Sequence, residues 1–227
     1  MRTIKKVASH IFIDGFGGMT QGLFATLIIG TMIQQIGLLI GGSTGNVIYL
    51  LGKAAAALTS AGIGVGVAVK YGESPLVTVS AAVAAMVGGY AGKITGGTFF
   101  VDGNAVLAGP GEPLGAFIAA FAGITCGHLV SGKTKVDIIV TPVITIGAGS
   151  VVGLLVGPPI SQMMTGLGSI INWATEQRPF IMGIVVSVVM GMVLTLPISS
   201  AALGIILNLS GLAAGAATIG CCCNMVG

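Results

Sequence analysis

From Gly22 to Gly220 the chain is a series of apolar stretches, each close in length to a membrane-crossing helix, separated by short turns that hold most of the charge. A helix needs ~20 apolar residues to cross the ~30 Å hydrocarbon core of a bilayer. Read with a window of that length, the candidate spans are Gly22–Ile40, Val47–Val69, Pro75–Gly92, Leu114–Val130, Ile138–Val156, Phe180–Leu196 and Ser199–Gly220. Only 7% of the 227 residues are charged and 54% are hydrophobic, with a mean hydropathy of +1.06, whereas soluble domains carry ~25% charged residues. So few charges cannot make a water-facing surface, which excludes a soluble enzyme. No basic cluster forms a nucleic-acid footprint, and nucleic acid is excluded as a partner. Aromatic residues are 5% of the chain while glycine numbers 39, a balance that favours helices packed through small residues over a barrel with aromatic girdles. The expected fold class is an all-α membrane protein, a polytopic helical bundle of about seven transmembrane helices with interfacial amphipathic helices and re-entrant segments.

Ahead of the first span, Ile4, Val7, Ala8, Ile11 and Phe12 recur at helical spacing beside Arg2, Lys5 and Lys6. That is the pattern of a basic amphipathic helix on an anionic leaflet, over residues 1–13 of what reads as a single transmembrane domain. A cytoplasmic N-terminus then puts Lys70, Lys133 and Lys135 in inner loops and leaves Lys93 and Arg178 outside, which agrees with the positive-inside rule. The apolar run after the N-terminus is too long for a signal peptide and ends in no cleavage site. Between Pro159 and Arg178 the sequence is moderately polar, and Met163, Met164, Leu167, Ile170, Ile171 and Trp173 predict an interfacial helix with Trp173 at headgroup level. Cys126, Cys221, Cys222 and Cys223 show neither zinc-ligand spacing nor a disulfide framework and read as small packing residues, with acylation or metal binding at the triple cysteine the minority reading.

Two irregular stretches interrupt the helices. Gly96–Gly115 reads GGTFFVDGNAVLAGPGEPLG and places Asp102, Asn104 and Glu112 among glycines and prolines. It is either a half-buried substrate loop or an ordinary loop whose carboxylates face water. Thr195–Ser200 contains Pro197 within an otherwise continuous apolar run, as a tight turn or a discontinuous helix. The clusters Thr141, Pro142, Thr145 and Thr195, Pro197, Ser199 fit the ends of discontinuous helices that bind substrate in transporters; equally, each hydroxyl can bond its own helix carbonyls and each proline can kink its helix. Lys53 and His128 lie near span ends, where Lys53 can snorkel outward and His128 can meet the inner interface. No nucleotide-binding loop, metal-binding helix motif or serine nucleophile elbow is present, so no cofactor, metal or catalytic residue is expected. Glycine spacings such as Gly62, Gly64, Gly66 and Gly88, Gly92 predict close helix contacts.

The stretch GPGEPLGAFIAA from Gly109 to Ala120, with VDGNAVL before it and KVDIIVTPVITI after it, resembles the EIIC-type membrane component of the sugar phosphotransferase system, in its divergent EIIC-like subfamily. The resemblance covers essentially the whole chain. Members are usually longer at the C-terminal side, so the end at Cys221–Gly227 reads as a truncation. The resemblance implies a homodimeric permease of the bacterial cytoplasmic membrane that holds a sugar near the midplane and passes it inward to separate EIIA/EIIB-like phosphotransfer subunits, carrying no phosphoacceptor itself. In related proteins an acidic residue and a histidine contact the sugar hydroxyls. Glu112 is the best-placed acid, since a carboxylate accepts two hydrogen bonds from adjacent hydroxyls. Asn104 and Asp102 follow, then His128, Thr141 and Thr195. A membrane sensor of the same fold that binds its ligand without transporting it is the alternative.

Overall fold

In the computed structural model the described residues are 14–101, 104–105, 109–175, 179–195 and 211–226, so the expected helix over residues 1–13 and the Pro197 segment lie outside them. Two compact units, Met1–Pro158 and Pro159–Gly227, are each described by themselves.

The first unit begins with the 25-residue helix α1, Phe16–Ile40. It turns back through Gly41 and Gly42, whose φ angles of 66° and 65° suit a residue without Cβ. The return path is α2, Gly42–Ala57, followed by α3, Thr59–Lys70, bent from it by 53°. Glycines fix the antiparallel register. Gly37 meets Gly45 and, seven residues along each helix, Gly30 meets Gly52, so close that an added Cβ on Gly30 would sit 2.9 Å from the Gly52 carbonyl oxygen. Farther on Gly22 meets Gly62 and Gly18 meets Gly66. Between Gly30 and Gly22 lie eight residue steps, whereas Gly52 to Gly62 takes ten. Both irregularities fall within this window: the π-helical turn Phe24–Ile28 in α1 and the break at Leu58 between α2 and α3. Thr26 donates its hydroxyl to the Gly22 carbonyl, 2.7 Å, as the ladder opens into the π turn.

Helix α4, Pro75–Gly89, starts at Ser74, whose hydroxyl accepts the Val77 N–H at 3.4 Å with Pro75 at the first helical position. A short helix α5, Ala91–Thr95, leads into a two-residue hairpin, β1 Phe100–Val101 against β2 Asn104–Ala105. Helix α6, Pro113–Val130, then runs back antiparallel to α4, with Gly88 and Gly115 in backbone contact. Helix α7, Asp137–Thr175, lays Gly149 and Gly153 against Ala84, Ala119 and Gly88. The core of this unit is Met19, Ile63, Val67, Ala81, Ala85, Ala116, Phe117 and Ile124 with their neighbours. Large side chains face out instead: Leu39, Ile138 and Leu155 are 87%, 71% and 72% exposed. Small residues inside and bulky apolar ones outside is the arrangement that lipid favours, and the chain is an all-α membrane protein.

In the second unit α8, Pro179–Thr195, pairs with α9, Gly211–Val226. Ser187 donates to the Ala216 carbonyl, 2.7 Å, and Cys221 reaches the Met190 carbonyl at 3.8 Å, so this cysteine packs between helices as expected.

The count of about seven spans is not confirmed, and some local expectations need correction. Among the described residues, three helices are individually long and apolar enough to cross, Phe16–Ile40, Pro113–Val130 and Asp137–Met163, or four if the bent α2–α3 pair is one span. Pro75–Gly89, Phe180–Met192 and Leu212–Asn224 are shorter. The stretch Val47–Val69 is not one straight helix. No break occurs at Thr141–Pro142, because the proline sits in the first turns of α7, where the missing N–H costs one bond. The polar segment after Pro159 is the continuation of α7 as far as Thr175 and not a separate interfacial helix.

The glycine contacts make a direct prediction. Gly22→Ala should lower thermal stability in detergent by about 1–3 kcal/mol through overpacking, whereas Gly147→Ala, where a Cβ meets nothing within 4 Å, should be neutral or stabilising by up to ~1 kcal/mol from helix propensity. Equal effects of the two would refute close backbone packing between α1 and α3.

Candidate functional site

A helix that stops inside a protein leaves carbonyls without partners, and at membrane depth side chains must supply them. The break between α2 and α3 does this at two successive residues. Thr59 donates its hydroxyl to the Ala56 carbonyl at 2.6 Å, and the Tyr90 hydroxyl approaches the Ala57 carbonyl at 3.3 Å. The same tyrosine hydroxyl donates over 2.5 Å to the Gly109 carbonyl, at the far end of the hairpin loop. One residue on, Ser60 donates to the Pro110 carbonyl at 3.1 Å. Thr59, Ser60 and Tyr90 are all essentially buried.

These bonds hold the Gly109–Glu112 turn against the helices. Gly111 has φ +74°, and a Cβ there would strike the Ser60 hydroxyl and come within 3.2 Å of the Tyr90 ring, so both its conformation and its space demand glycine. The Glu112 N–H donates to the Gly89 carbonyl at the end of α4, 2.7 Å, and its own carbonyl accepts the Ala116 N–H. Pro113 then starts α6. The Tyr90 ring is covered by Phe99, centroids 5.5 Å apart, and by the Lys93 ammonium 5.4 Å from its centre.

Within this frame Glu112 stands one residue before the apolar helix Pro113–Val130, and its Oε1 is buried with no hydrogen-bond partner among the described residues. Burial pushes the carboxyl up to about 7, while the Leu114 N–H pulls the other way. A buried acceptor left unpaired costs ~1–3 kcal/mol, and such a group in a native fold marks a place where something else supplies the donor. Of the two readings of Gly96–Gly115, the half-buried loop fits Glu112.

The other expected residues do not gather here. Asp102 lies outside the described residues, and Asn104 sits in β2 opposite Val101. His128 is sixteen residues along α6 from Glu112, ~24 Å at the helical rise. Its Nδ1 pairs with Glu73 at 2.9 Å, the imidazole 71% exposed and the carboxylate 9%, beside the Ser74 and Ser131 hydroxyls, which are 3.0 Å apart. Thr141 donates to the Asp137 carboxylate, 2.6 Å, and Thr145 is buried against Gly127, so both belong to the His128 end. Thr195 ends α8 in the second unit. Ser60, Tyr90 and Glu73 escaped the sequence reading. One signal was available: Gly-Glu-Ser-Pro-Leu at Gly72–Leu76 and Gly-Glu-Pro-Leu at Gly111–Leu114 are the same helix start, used at opposite ends of the α4–α6 pair.

Because the folded-state value for Glu112 lies above the 4.5 of an unperturbed glutamate, the fold favours the protonated acid. Its contribution is complete below pH 4.5 and is lost as pH rises through about 7. Glu112→Gln should therefore leave thermal stability unchanged near pH 4.5 and raise it at pH 8, by at most ~3 kcal/mol. A variant less stable than the parent at pH 8 would overturn the burial of an unpaired carboxyl.

No curated protein and no solved structure matches this chain. A family model described as Phosphotransferase system, EIIC matches residues 13–227, and the chain belongs to that family.

Proposed function

We propose that the protein is the membrane permease subunit of a phosphoenolpyruvate-dependent phosphotransferase system, and that it binds a sugar at Glu112 and passes it across the cytoplasmic membrane. The observation that carries the reading is the buried, unpartnered Oε1 of Glu112, the residue that follows the Gly109–Gly111 turn held by Ser60 and Tyr90. A carboxylate accepts paired hydrogen bonds from adjacent hydroxyls, the recurrent motif of a sugar, and in a site shielded from water these discriminate strongly against ligands that lack them. The family membership supports a sugar substrate and cytoplasmic EIIA/EIIB-like partners that carry the phosphoryl group.

The protein works as a homodimer with its N-terminus in the cytoplasm. Lys70, Lys133 and Lys135 then lie at the cytoplasmic ends of their helices, all three exposed. Glu112, one residue before an apolar helix long enough to cross, then lies toward the membrane face opposite these lysines.

The test is uptake of radiolabelled sugars by proteoliposomes, with and without the general phosphotransfer proteins inside. Uptake that requires those proteins and yields sugar phosphate is the expected result; saturable binding without flux in either condition would make the protein a receptor. For the sugar that binds, Glu112→Gln should weaken affinity 10- to 100-fold, the effect of ~1.5–3 kcal/mol for hydrogen bonds to a charged group. Affinity of the parent should rise with pH through about 7 as the carboxyl ionises, and the variant should lose that dependence. His128→Gln should bind within about twofold of the parent, given its ~24 Å separation along α6.

A further inference from the structure

We propose that Tyr90 and Ser60 are positioning residues that tie the bend between α2 and α3 to the placement of Glu112, so that the broken helix and the carboxyl move as one unit. Tyr90 is the joint. Its hydroxyl lies within reach of Ala57, the last residue of α2, and of Gly109, the first residue of the turn that carries Glu112. Ser60, in the first turn of α3, holds the next residue of the same turn through Pro110. The single Tyr90 proton goes to the Gly109 carbonyl at 2.5 Å and is shared weakly with Ala57 at 3.3 Å, while Ser60 gives its own to Pro110, so both sides of the bend reach successive carbonyls two and three residues ahead of Glu112. Gly111 between them has no slack: the Ser60 hydroxyl, the Gly89 carbonyl and the Tyr90 ring surround it.

A change of the 53° angle at Leu58 displaces Ala57 relative to Ser60, and the turn must follow one of them or lose a bond. The inference rests on the proposed sugar site only for its consequence, that occupancy of Glu112 selects one bend angle. The coupling itself involves no ligand. Among the described residues, the titratable side chains on the elements around the turn at this end are Tyr90, Lys93 and the exposed Lys53, one helical turn before Ala57 on α2; Lys70 and His128 lie at the far ends of α3 and α6.

Tyr90→Phe keeps the ring against Phe99 and Lys93 and removes only the hydroxyl. Spin labels on cysteines introduced at the exposed positions Val47 and Val69, with Cys126, Cys221, Cys222 and Cys223 replaced, report the distance across the bend in purified, ligand-free protein. The same samples give the pH midpoint of thermal stability that tracks Glu112. The expected result for Tyr90→Phe, and for Ser60→Ala, is a broadened distance distribution together with a midpoint moved at least half a pH unit toward the ordinary carboxylate range, as the loosened turn admits water. An unchanged distribution overturns the proposal, and so does a broadened one that leaves the midpoint in place. Neither readout involves sugar, so failure of the permease reading leaves both intact. If sugar binds, its affinity should fall about tenfold in Tyr90→Phe.

Discussion

Backbone-to-backbone contact between glycines is the interaction on which the rest of this structure depends. In lipid, apolar side chains gain little by leaving the solvent, so helices associate through van der Waals contact and through the polar bonds that contact makes reachable. Gly18, Gly22, Gly30 and Gly37 let α1 lie directly on α2 and α3, and Gly88 with Gly115 does the same for α4 and α6. Only at such separations do side chains as short as serine span from one element to the next. The bond from Ser60 to Pro110 exists because Gly89 and Gly111 have no Cβ to stand in its way.

The polar chemistry follows from that closeness. Every hydroxyl around the turn is committed to a carbonyl: Thr59 to Ala56, Ser60 to Pro110, Tyr90 to Gly109. The donors therefore serve the fold, and at this turn the Glu112 Oε1 is left unanswered, as the Thr145 and Ser150 hydroxyls are elsewhere. In a low-dielectric setting a buried acceptor left so would select for a ligand that supplies the donor.

Much of this was legible in the sequence, for reasons that differ by level. The solvent was plain because hydropathy sums over every residue, whereas an ordinary water-facing loop explained Glu112 equally well until its burial was seen. Glycine spacing announced close contact but not which helices would meet, since Gly62 and Gly66 face Gly18 and Gly22 across some forty residues of intervening chain. The break at Leu58 was ambiguous in sequence: Thr59 and Ser60 are weak helix formers that mark many helix starts, yet within an apolar span such hydroxyls commonly bond back to their own helix. Conversely Pro142 looked like a break and is not: its ring removes one N–H, and α7 still runs through it from Asp137 to Thr175. His128 and Glu112 share a helix, yet helical rise puts them at opposite ends, and a list of polar residues does not show that separation.

The unequal spacing of the glycine pairs has a consequence of its own. Eight steps on α1 are matched against ten on the α2–α3 path, like two scales of a vernier whose divisions agree at either end and not between. Ten regular helical steps run ~3 Å past eight, and the 53° bend at Leu58 draws the longer path back to the shorter one. The bend is therefore written into the glycine spacing: a straight α2–α3 helix would carry Gly62 and Gly66 past Gly22 and Gly18.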